Sequence, residues 1–521
     1  MRNRWGCCVT IFVVFVTAFA LGACGGEEEG GAGTPTPLNS TPTEIGPAGG
    51  SVASDDSNPA IQVLGSSVAV TFEWAQIEPF AVFAEDISSS TITIRAKISG
   101  MPSRVVASYF GNWFSNGPEP FETVQLYDDG SHGDKVAGDG IFTGQFVFAG
   151  VVPRLRRYGG QLDHLPIGVN IQDSAGKFIP FAKPAVSTVE LGLVAGNNSI
   201  TPERLSDHVM TADAAVNIVD AAYFIDHSAA RVMETFYGVF PDDYDGFVMF
   251  SGGRTIGDGL PRGSGIRNVV TTGIGLQPFD GSAAYGSQGK LKYQVLMNNS
   301  VNGEVFLHEF AHSFGIYLNQ SGLNLTSSGG LGMHWGTSDI IGQMRGGDYL
   351  SKNQDGSFTV TYPPGSSEPG WGSSIYAQNK YADLELYLMG LVPPEQVRPH
   401  SFLISDTQPH TQPDFDASVP IPASATRIVT IDDILQVYGV RAPGAGIAQK
   451  NFALAFILVS NQFVNTAELT LINTLARYYA SGLPGGTLVT GGAFPVPDPP
   501  SFAAATNYFG SMDTSLKAIG R

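Results

Sequence analysis

The pattern of apolar and polar positions divides the chain into four segments. Residues 1–24 combine a basic start with an apolar run, and residues 25–44 contain mostly Gly, Glu, Pro, Thr and Ser. Because such a composition cannot bury a core, the second segment is predicted to be a flexible tether. Residues 45–194 show short alternating runs between Gly, Pro and Asn turns, which predicts an antiparallel β-sandwich. Residues 195–521 mix helical and strand periods, which predicts an α+β domain.

The period of the pattern also predicts individual elements. Alternation at residues 66–72, 90–96 and 167–173 predicts strands of the sandwich. From 212 to 237 apolar residues recur every three or four positions, which predicts one long helix. Thr430 is predicted to be a helix N-cap. Further elements follow in the last segment, with strands at 246–250, 291–297 and 451–460 and helices at 305–315, 381–390, 430–438 and 466–479.

The segment 305–315 contains the motif H-E-x-x-H, formed by His308, Glu309 and His312. On a helix, residues i and i+4 share one face, so the two histidines can bind one zinc ion with Glu309 beside it as a general base. With 9 His in 521 residues, the motif arises by chance on the order of 0.01 times per chain. A second face of this helix is predicted to be buried and carries Phe306, Phe310 and Phe314.

A catalytic zinc ion needs a third protein ligand and an open position for water. Leu318 stands where the metzincin pattern would place a third His, so that pattern is excluded. Two candidates remain, His334 in a Gly-rich stretch and Glu385 in an apolar segment of helical period. We favour Glu385, with Asp383 as a further alternative, because a carboxylate in an apolar helix is costly unless it is paired or metal-bound. His334 would then stabilise the oxyanion or position the substrate.

Four aspartates are interleaved with glycines between residues 126 and 143, namely Asp128, Asp129, Asp134 and Asp139. Carboxylates at this spacing can chelate calcium in a tight loop. Their order differs from that of an EF-hand, and the composition also suits a turn whose Asp side chains cap their own backbone. The loop resembles one that is common in Ig-like modules of secreted bacterial proteins. Calcium binding and backbone capping therefore both remain open at this point.

The composition limits the possible partners. The formal net charge is −19, and only 14% of the residues are charged. This balance argues against binding of nucleic acid and against electrostatic attachment to anionic lipid. The 64 Gly and 33 Pro residues favour short strands and long loops over helical bundles. The predicted partner is a protein or peptide substrate.

The N-terminal segment has the features of an export signal. Residues 7–21 are apolar and too short for an ordinary membrane span. Leu21-Gly22-Ala23-Cys24 resembles the lipobox of bacterial lipoproteins, in which the Cys becomes the first residue and carries the lipid. An ordinary secretory signal is the alternative. In a Gram-negative cell, Gly25 after Cys24 implies the outer membrane, so the predicted location is the cell envelope, with membrane contact through the N-terminal lipid only.

Cysteine usage narrows the choice of metal ligands. The three cysteines are Cys7, Cys8 and Cys24. After cleavage of the signal only Cys24 remains, and in a lipoprotein it is acylated. The mature protein then has no disulfide and no thiolate ligand, so zinc must be held by His and carboxylate side chains.

Several motifs together resemble a group of poorly characterised bacterial HExxH proteins, metalloproteases of the zincin type with a gluzincin-like arrangement. The motifs lie between residues 207 and 399 and comprise Tyr244-Asp245, the H-E-x-x-H segment, Met333-His334-Trp335 and the stretch 384–394. The resemblance implies a zinc-binding α+β domain after the Ig-like sandwich. It predicts an exported zinc endopeptidase in which Glu309 deprotonates the attacking water and then protonates the leaving amine.

Two other functions are compatible with the sequence. One is a surface-binding or adhesion lipoprotein whose zincin scaffold is inactive, because the third zinc ligand is not fixed by a motif. The other is a calcium-dependent sandwich that docks to glycans or to protein through the aspartate loop.

Overall fold

The structure is a computed structural model that describes residues 70–109, 122–148, 162–172, 178–179, 188–195, 200–252, 261–297, 305–318, 323, 325–326, 334–344, 349–361, 380–404, 420–484 and 499–518. The predicted signal segment, Cys24 and the tether lie outside these residues. The described chain is a multi-domain α+β protein that is rich in β-sheet. Within the described ranges, the helices are too short or too polar to cross a membrane.

Among the described residues between 71 and 194, nine strands form the N-terminal region. They are β1 (Thr71–Glu78), β2 (Ala81–Phe83), β3 (Ile92–Ser99), β4 (Arg104–Tyr109), β5 (Glu122–Leu126), β6 (Ile141–Phe146), β7 (Leu162–Gln172), β8 (Phe178–Ile179) and β9 (Thr188–Val194). One sheet has the order β1-β3-β6 and the other the order β2-β9-β7-β4-β5, with β8 beside β7. All neighbouring strands are antiparallel except β2 and β9, which run parallel.

The two sheets of the N-terminal region share one core. The alternation predicted at residues 90–96 is confirmed by β3, in which Ile92, Ile94 and Ala96 are fully buried. These side chains belong to the same hydrophobic cluster as Val169 of β7 and Leu191 of β9. Both sheets therefore contribute to one hydrophobic cluster, which continues into the second region.

The second region begins at residue 203 and is built on an eight-stranded sheet. Its strands and the small hairpins beside it are β10 (Glu203–Arg204), β11 (Val209–Ala212), β12 (Ala215–Val219), β13 (Gly246–Ser251), β14 (Arg262–Gly265), β15 (Arg267–Asn268), β16 (Phe279–Asp280), β17 (Tyr293–Leu296), β18 (Tyr349–Lys352), β19 (Phe358–Thr361), β20 (His400–Leu403), β21 (Thr426–Val429), β22 (Asn451–Ser460) and β23 (Ser511–Asp513). The sheet order is β10-β11-β12-β22-β13-β17-β14, and β23 pairs with β22. Strands β12, β22, β13 and β17 are parallel, whereas β14 is antiparallel to β17 at one edge.

Strand β22 lies at the centre of this sheet. All of its residues after Asn451 are buried. A strand with neighbours on both sides and layers on both faces reads as a continuous apolar run, which is why residues 451–460 were predictable. The strands predicted at 246–250 and 291–297 are likewise confirmed by β13 and β17.

The helices pack against this sheet or beside it. They are α1 (Tyr223–Asp226), α2 (Ala229–Tyr237), α3 (Phe306–His312), α4 (Asp383–Met389), α5 (Ile431–Tyr438), α6 (Thr466–Ala480) and α7 (Phe502–Ala505), with 3-10 turns at Ala84–Asp86, Ser282–Tyr285, Pro394–Gln396 and Ala423–Ala425. The predicted apolar face of α3 is confirmed, because Phe306 and Phe310 are fully buried and contact the rings of Phe456 and Phe452 respectively. The predicted N-cap of α5 is also confirmed, since Thr430 Oγ1 accepts from the Asp433 N–H at 3.3 Å.

The single helix predicted from 212 to 237 is wrong in its first half. Strands β11 and β12 form a hairpin there, and helix begins only at Tyr223. The hairpin turns at Asp213, which has φ of +52°. Strand β12 pairs with the central strand β22 and is buried, so its Val216 and Ile218 fit a two-sided strand as well as a helical stripe. Tertiary pairing decides between the two periods.

Candidate metal centre

Helix α3 places the H-E-x-x-H residues in the interior of the second region. It begins at Phe306 and ends at His312, and all seven of its residues are buried. The imidazoles of His308 and His312 lie on one face, as their spacing predicts, and their Nε2 atoms are 3.2 Å apart. The helix is held against the sheet by its phenylalanine face, so the two histidines have a fixed position relative to each other.

His334 joins this pair from a distant part of the chain. Its Nε2 atom is 3.1 Å from Nε2 of His308, and the two rings stack with 5.0 Å between centroids. The three histidines form a buried group in which one ligand nitrogen of each lies within 4.8 Å of the others. Ligand nitrogens around a tetrahedral zinc ion are separated by about 3.3 Å, because each Zn–N bond measures about 2.0–2.1 Å. The observed separations fit such an ion.

The electrostatic environment keeps these histidines neutral. Burial lowers the pKa of His308 to about 4, although its hydrogen bond to the Gln343 carbonyl acts in the opposite direction. Burial also holds the pKa values of His312 and His334 well below their ordinary value, and the neighbouring imidazoles add to this. A neutral imidazole offers a lone pair to a metal ion. Because the Gln343 carbonyl can only accept, His308 carries its hydrogen on Nδ1 and presents the Nε2 lone pair to the group.

Glu309 lies in the same buried helix and has one unsatisfied oxygen. Burial raises the pKa of Glu309 to about 8, and a hydrogen bond from the Gly263 N–H partly offsets this. Its Oε2 atom has no hydrogen-bond partner among the described residues. Buried carboxylate oxygens are normally hydrogen-bonded, so Oε2 is available to a group that binds beside the histidines.

Gly263 is a residue of the site that our sequence analysis missed. It belongs to the edge strand β14, which crosses directly over α3. A Cβ atom at this position would lie 1.6 Å from the carbonyl oxygen of Glu309, so only glycine fits. The sequence signal was the alternation of Gly263 and Gly265 in a short strand, which marks a close backbone approach.

Glu385 is not a member of the histidine group, so the preference for it as third ligand is not supported by the geometry. Its carboxylate accepts from the Trp335 indole N–H at 3.1 Å and from the backbone N–H groups of Gln343, Met344 and Ala382 at 3.0, 2.7 and 2.8 Å. The premise that a buried carboxylate needs a partner is correct, but backbone donors meet that need here. The position expected for Glu385 is taken by His334, the alternative ligand.

His400 lies in a buried ion network beside α4. It is 2% exposed and lies between two carboxylates, with Nδ1 3.1 Å from Asp339 Oδ1 and Nε2 2.9 Å from Asp383 Oδ1. Burial alone would lower the pKa of His400, but the two carboxylates outweigh it and raise the pKa above its ordinary value. Asp383, the further alternative for the third ligand, is therefore part of this ion network and not of the histidine group.

The aspartate loop forms a second group of potential ligands in the N-terminal region. Asp128, Asp134 and Asp139 each place a carboxylate oxygen within 4.8 Å of the others, whereas Asp129 lies outside the group. The backbone capping considered from the sequence is present. Asp128 accepts from the N–H groups of Gly138, Asp139 and Gly140 at 2.8, 3.1 and 2.9 Å. Asp129 caps Ser131 at 2.9 Å, and His132 stacks on Tyr127 as a loop residue. Calcium binding stays a prediction.

Comparisons with known proteins add little to this geometry. No family model matches the chain, and no curated protein matches it. Among solved structures, the chain is similar to a Niemann-Pick type C2 protein from the Japanese carpenter ant, with 16% identity and a TM-score of 0.16. The match covers 25% of this chain and 95% of the other. A TM-score this low is no basis for a statement about fold or ligand.

Proposed function

We propose that this chain is a zincin-type zinc metallopeptidase, exported and held at the cell envelope by a lipid on Cys24. The observation that carries the proposal is the convergence of three buried histidine nitrogens near Glu309, a buried carboxylate on the same helix as two of them. Neutral imidazoles spaced for a tetrahedral metal, together with an acid whose oxygen lacks a partner, suit hydrolysis by activated water. The lipid anchor rests on the lipobox-like sequence alone.

His308, His312 and His334 would hold the metal, and the donor set suits zinc because imidazole nitrogen is one of its preferred ligands. Zinc bound there would supply Lewis-acid chemistry, polarising water and the scissile carbonyl. Glu309 would take the proton of the attacking water on Oε2 and pass it to the leaving amine. The Gly263 N–H fixes the carboxylate, so that Oε2 is the oxygen that moves the proton.

The edge strand β14 supports a peptide as the substrate. It is the last strand in the sheet order, and among the described residues no further strand pairs with it. The edge of a sheet presents backbone N–H and C=O groups that an extended peptide can pair with. Because β14 also touches Glu309 through Gly263, a peptide added at this edge would pass close to the candidate metal centre.

The substitution Glu309→Gln tests the proposal. We expect the variant to bind zinc as the wild type does, because Glu309 is not in the histidine group. Cleavage of an unstructured protein substrate should fall at least about 100-fold, since a general base contributes roughly 10²–10⁴-fold. Zinc content by elemental analysis and cleavage rate are the two measurements.

The matched control is Glu468→Gln, which alters a buried glutamate at the start of α6 and should leave cleavage unchanged. Cleavage retained in Glu309→Gln would contradict the role given to Glu309. A wild-type protein that binds zinc and cleaves nothing would instead favour the surface-binding alternative.

A further inference from the structure

We propose that helix α4 is the scaffold of the metal centre and that Glu385 is its main positioning residue, acting on the metal without touching it. The inference deepens the proposed function and rests on it, because it concerns the same three-histidine site. It assigns a role to a buried carboxylate that the hydrolytic mechanism does not use.

Glu385 accepts most of its hydrogen bonds from the segment that carries His334. Three of its four donors belong to the segment 334–344, namely the Trp335 indole and the backbone N–H groups of Gln343 and Met344. Trp335 directly follows the ligand His334, and the Gln343 carbonyl accepts from His308 Nδ1. One carboxylate therefore fixes the residue beside one metal ligand and the peptide that orients another.

The hydrogen-bond donors around Glu385 require a carboxylate at this position. Four N–H donors point at its two oxygens at 2.7–3.1 Å. An amide has only one accepting oxygen. Its NH2 group can only donate, so it could not accept hydrogen bonds from the N–H groups that face it. The segment also passes so close that a Cβ atom at Gly342 would lie 2.3 Å from Glu385 Oε2. The cradle is thus shaped around a carboxylate and leaves no room for a side chain at position 342.

Helix α4 is also linked to the middle of the segment 334–344. Asp339 lies between Trp335 and Gln343 in sequence, and it binds His400, which also binds Asp383 in the first turn of α4. Arg398 closes the network from the surface, with Nη1 2.9 Å from Asp339 Oδ2. The segment that carries His334 is consequently attached to α4 near both ends through Glu385 and at its centre through His400.

The chain offers a closely matched control for Glu385. Glu468 is also a buried glutamate in the first turn of a helix, and its carboxylate accepts the backbone N–H groups of Phe80 at 3.1 Å and of Asn465 at 2.9 Å. It lies where α6 meets the N-terminal region, away from the three histidines. A general loss of stability should affect Glu468→Gln and Glu385→Gln alike, whereas a positioning effect on the metal should appear only in Glu385→Gln.

The experiment is a competition titration of zinc against a chelator for the full chain and both variants, with the absorption spectrum of the Co²⁺-loaded proteins as a second readout. We expect Glu385→Gln to bind zinc about 10- to 100-fold more weakly, the usual cost of losing an outer-shell partner. Its Co²⁺ spectrum should change, because His334 and His308 lose their fixed directions. Glu468→Gln should match the wild type in both.

Each result has one meaning. Equal affinity and spectrum in Glu385→Gln and wild type would overturn the positioning role, and so would a loss as complete as that of His308→Ala, which would make Glu385 a ligand. If Glu385→Gln does not fold, Asp339→Asn replaces it, with an expected loss of zinc affinity of about tenfold and an unchanged affinity as the contrary result. A wild type and Glu468→Gln that bind no zinc would overturn the metal site itself, which is a different failure.

Discussion

The histidine group and the aspartate group differ in what their ligand atoms already contact. In the histidine group, three Nε2 atoms face one another inside the protein, and His308 directs its hydrogen outward to the Gln343 carbonyl. In the aspartate group, both oxygens of Asp128 already accept backbone N–H groups, as does one oxygen of Asp134 from Gly130. The nitrogens of the first group are candidate ligands for one shared metal ion, whereas the carboxylates of the second group already accept backbone N–H groups of their own loop.

This comparison shows that spacing in the sequence does not by itself distinguish a metal site from a structural turn. Both groups have ligand residues at plausible intervals and oxygen or nitrogen atoms within 4.8 Å. The two groups differ in burial and in the hydrogen bonds that their ligand atoms already make. The three imidazoles are buried, whereas Asp128 and Asp134 are only half-buried and cap the backbone of their own loop.

The largest expected effect is the loss of zinc when the histidine group is broken. We expect His308→Ala and His312→Ala to weaken zinc binding by more than about 100-fold, beyond the range for outer-shell partners, and to abolish peptide cleavage. Asp134→Asn should leave zinc content and cleavage unchanged, because it alters only the aspartate group. Elemental analysis of the purified proteins provides the measurement.

Loss of zinc from Asp134→Asn, or retention of zinc in both histidine variants, would contradict the assignment of zinc binding to the histidine group. Circular dichroism spectra of the variants serve as the control, since loss of fold would remove metal from either group.

A second expected effect concerns the ion network that supports the histidine group. Burial lowers the pKa of His400, but Asp339 and Asp383 outweigh it, so the pKa lies above its ordinary value of 6.5. Burial acts to raise the pKa values of the two aspartates, but their hydrogen bonds to His400 and Arg398, together with the His400 charge, outweigh it, so both pKa values lie below their ordinary 3.8. A raised histidine pKa stabilises the fold fully below pH 6.5, and this contribution is lost as the pH rises through the raised value. The aspartate contribution is present above pH 3.8 and is lost as the pH falls through the lowered values.

We therefore expect His400→Gln to lower the free energy of unfolding by about 2 kcal/mol between pH 4 and 6.5, as expected for lost hydrogen bonds between charged groups. The difference from the wild type should shrink above that window. Urea titrations at several pH values measure it, and a difference that grows with rising pH would contradict the charge assigned to His400.

Local sequence patterns were sufficient to predict the elements in which each face has one kind of environment along its whole length. Strand β22 is apolar throughout because both of its faces are covered, and α3 shows its ligand face and its phenylalanine face at helical spacing. Thr430 was identified as a cap because a hydroxyl before an acidic first turn satisfies backbone donors whatever the tertiary contacts.

The choice between His334 and Glu385 as candidate third ligand was not predictable, because it depends on where a segment lies in space. His334 and Glu385 are both buried, at 3% exposure each. From the sequence, a carboxylate in an apolar helix was expected to be paired or metal-bound. Only the folded chain shows that the Gln343 and Met344 N–H groups satisfy it and that His334 reaches His308. In the same way, the pairing of β12 with β22 could not be seen in a segment whose period suited a helix.

A third prediction concerns the aspartate loop as a self-supporting turn. Asp128→Asn should destabilise the N-terminal region by about 1 kcal/mol, because three N–H groups lose a charged acceptor that is partly exposed to water. Asp129→Asn is the matched control, since Asp129 caps only Ser131 and lies outside the group. Thermal melts of both variants measure the difference, and an equal effect in both would contradict the role assigned to Asp128.

The smallest expected effect is that of calcium, and it tests the comparison without any variant. If the loop is held by its own backbone donors, adding calcium to the zinc-loaded protein should shift the melting temperature by less than about 2 °C, which corresponds to less than ~1 kcal/mol for a domain of this size. Removal of zinc by a chelator should shift the melting temperature more, since binding to the folded state alone adds stability in proportion to the logarithm of the ligand concentration over Kd. A shift of about 5 °C or more on adding calcium would show that the Asp128, Asp134 and Asp139 oxygens exchange their N–H partners for a cation. In that case the loop would bind a metal ion although its carboxylates accept backbone N–H groups, and existing hydrogen bonds would not distinguish the two groups.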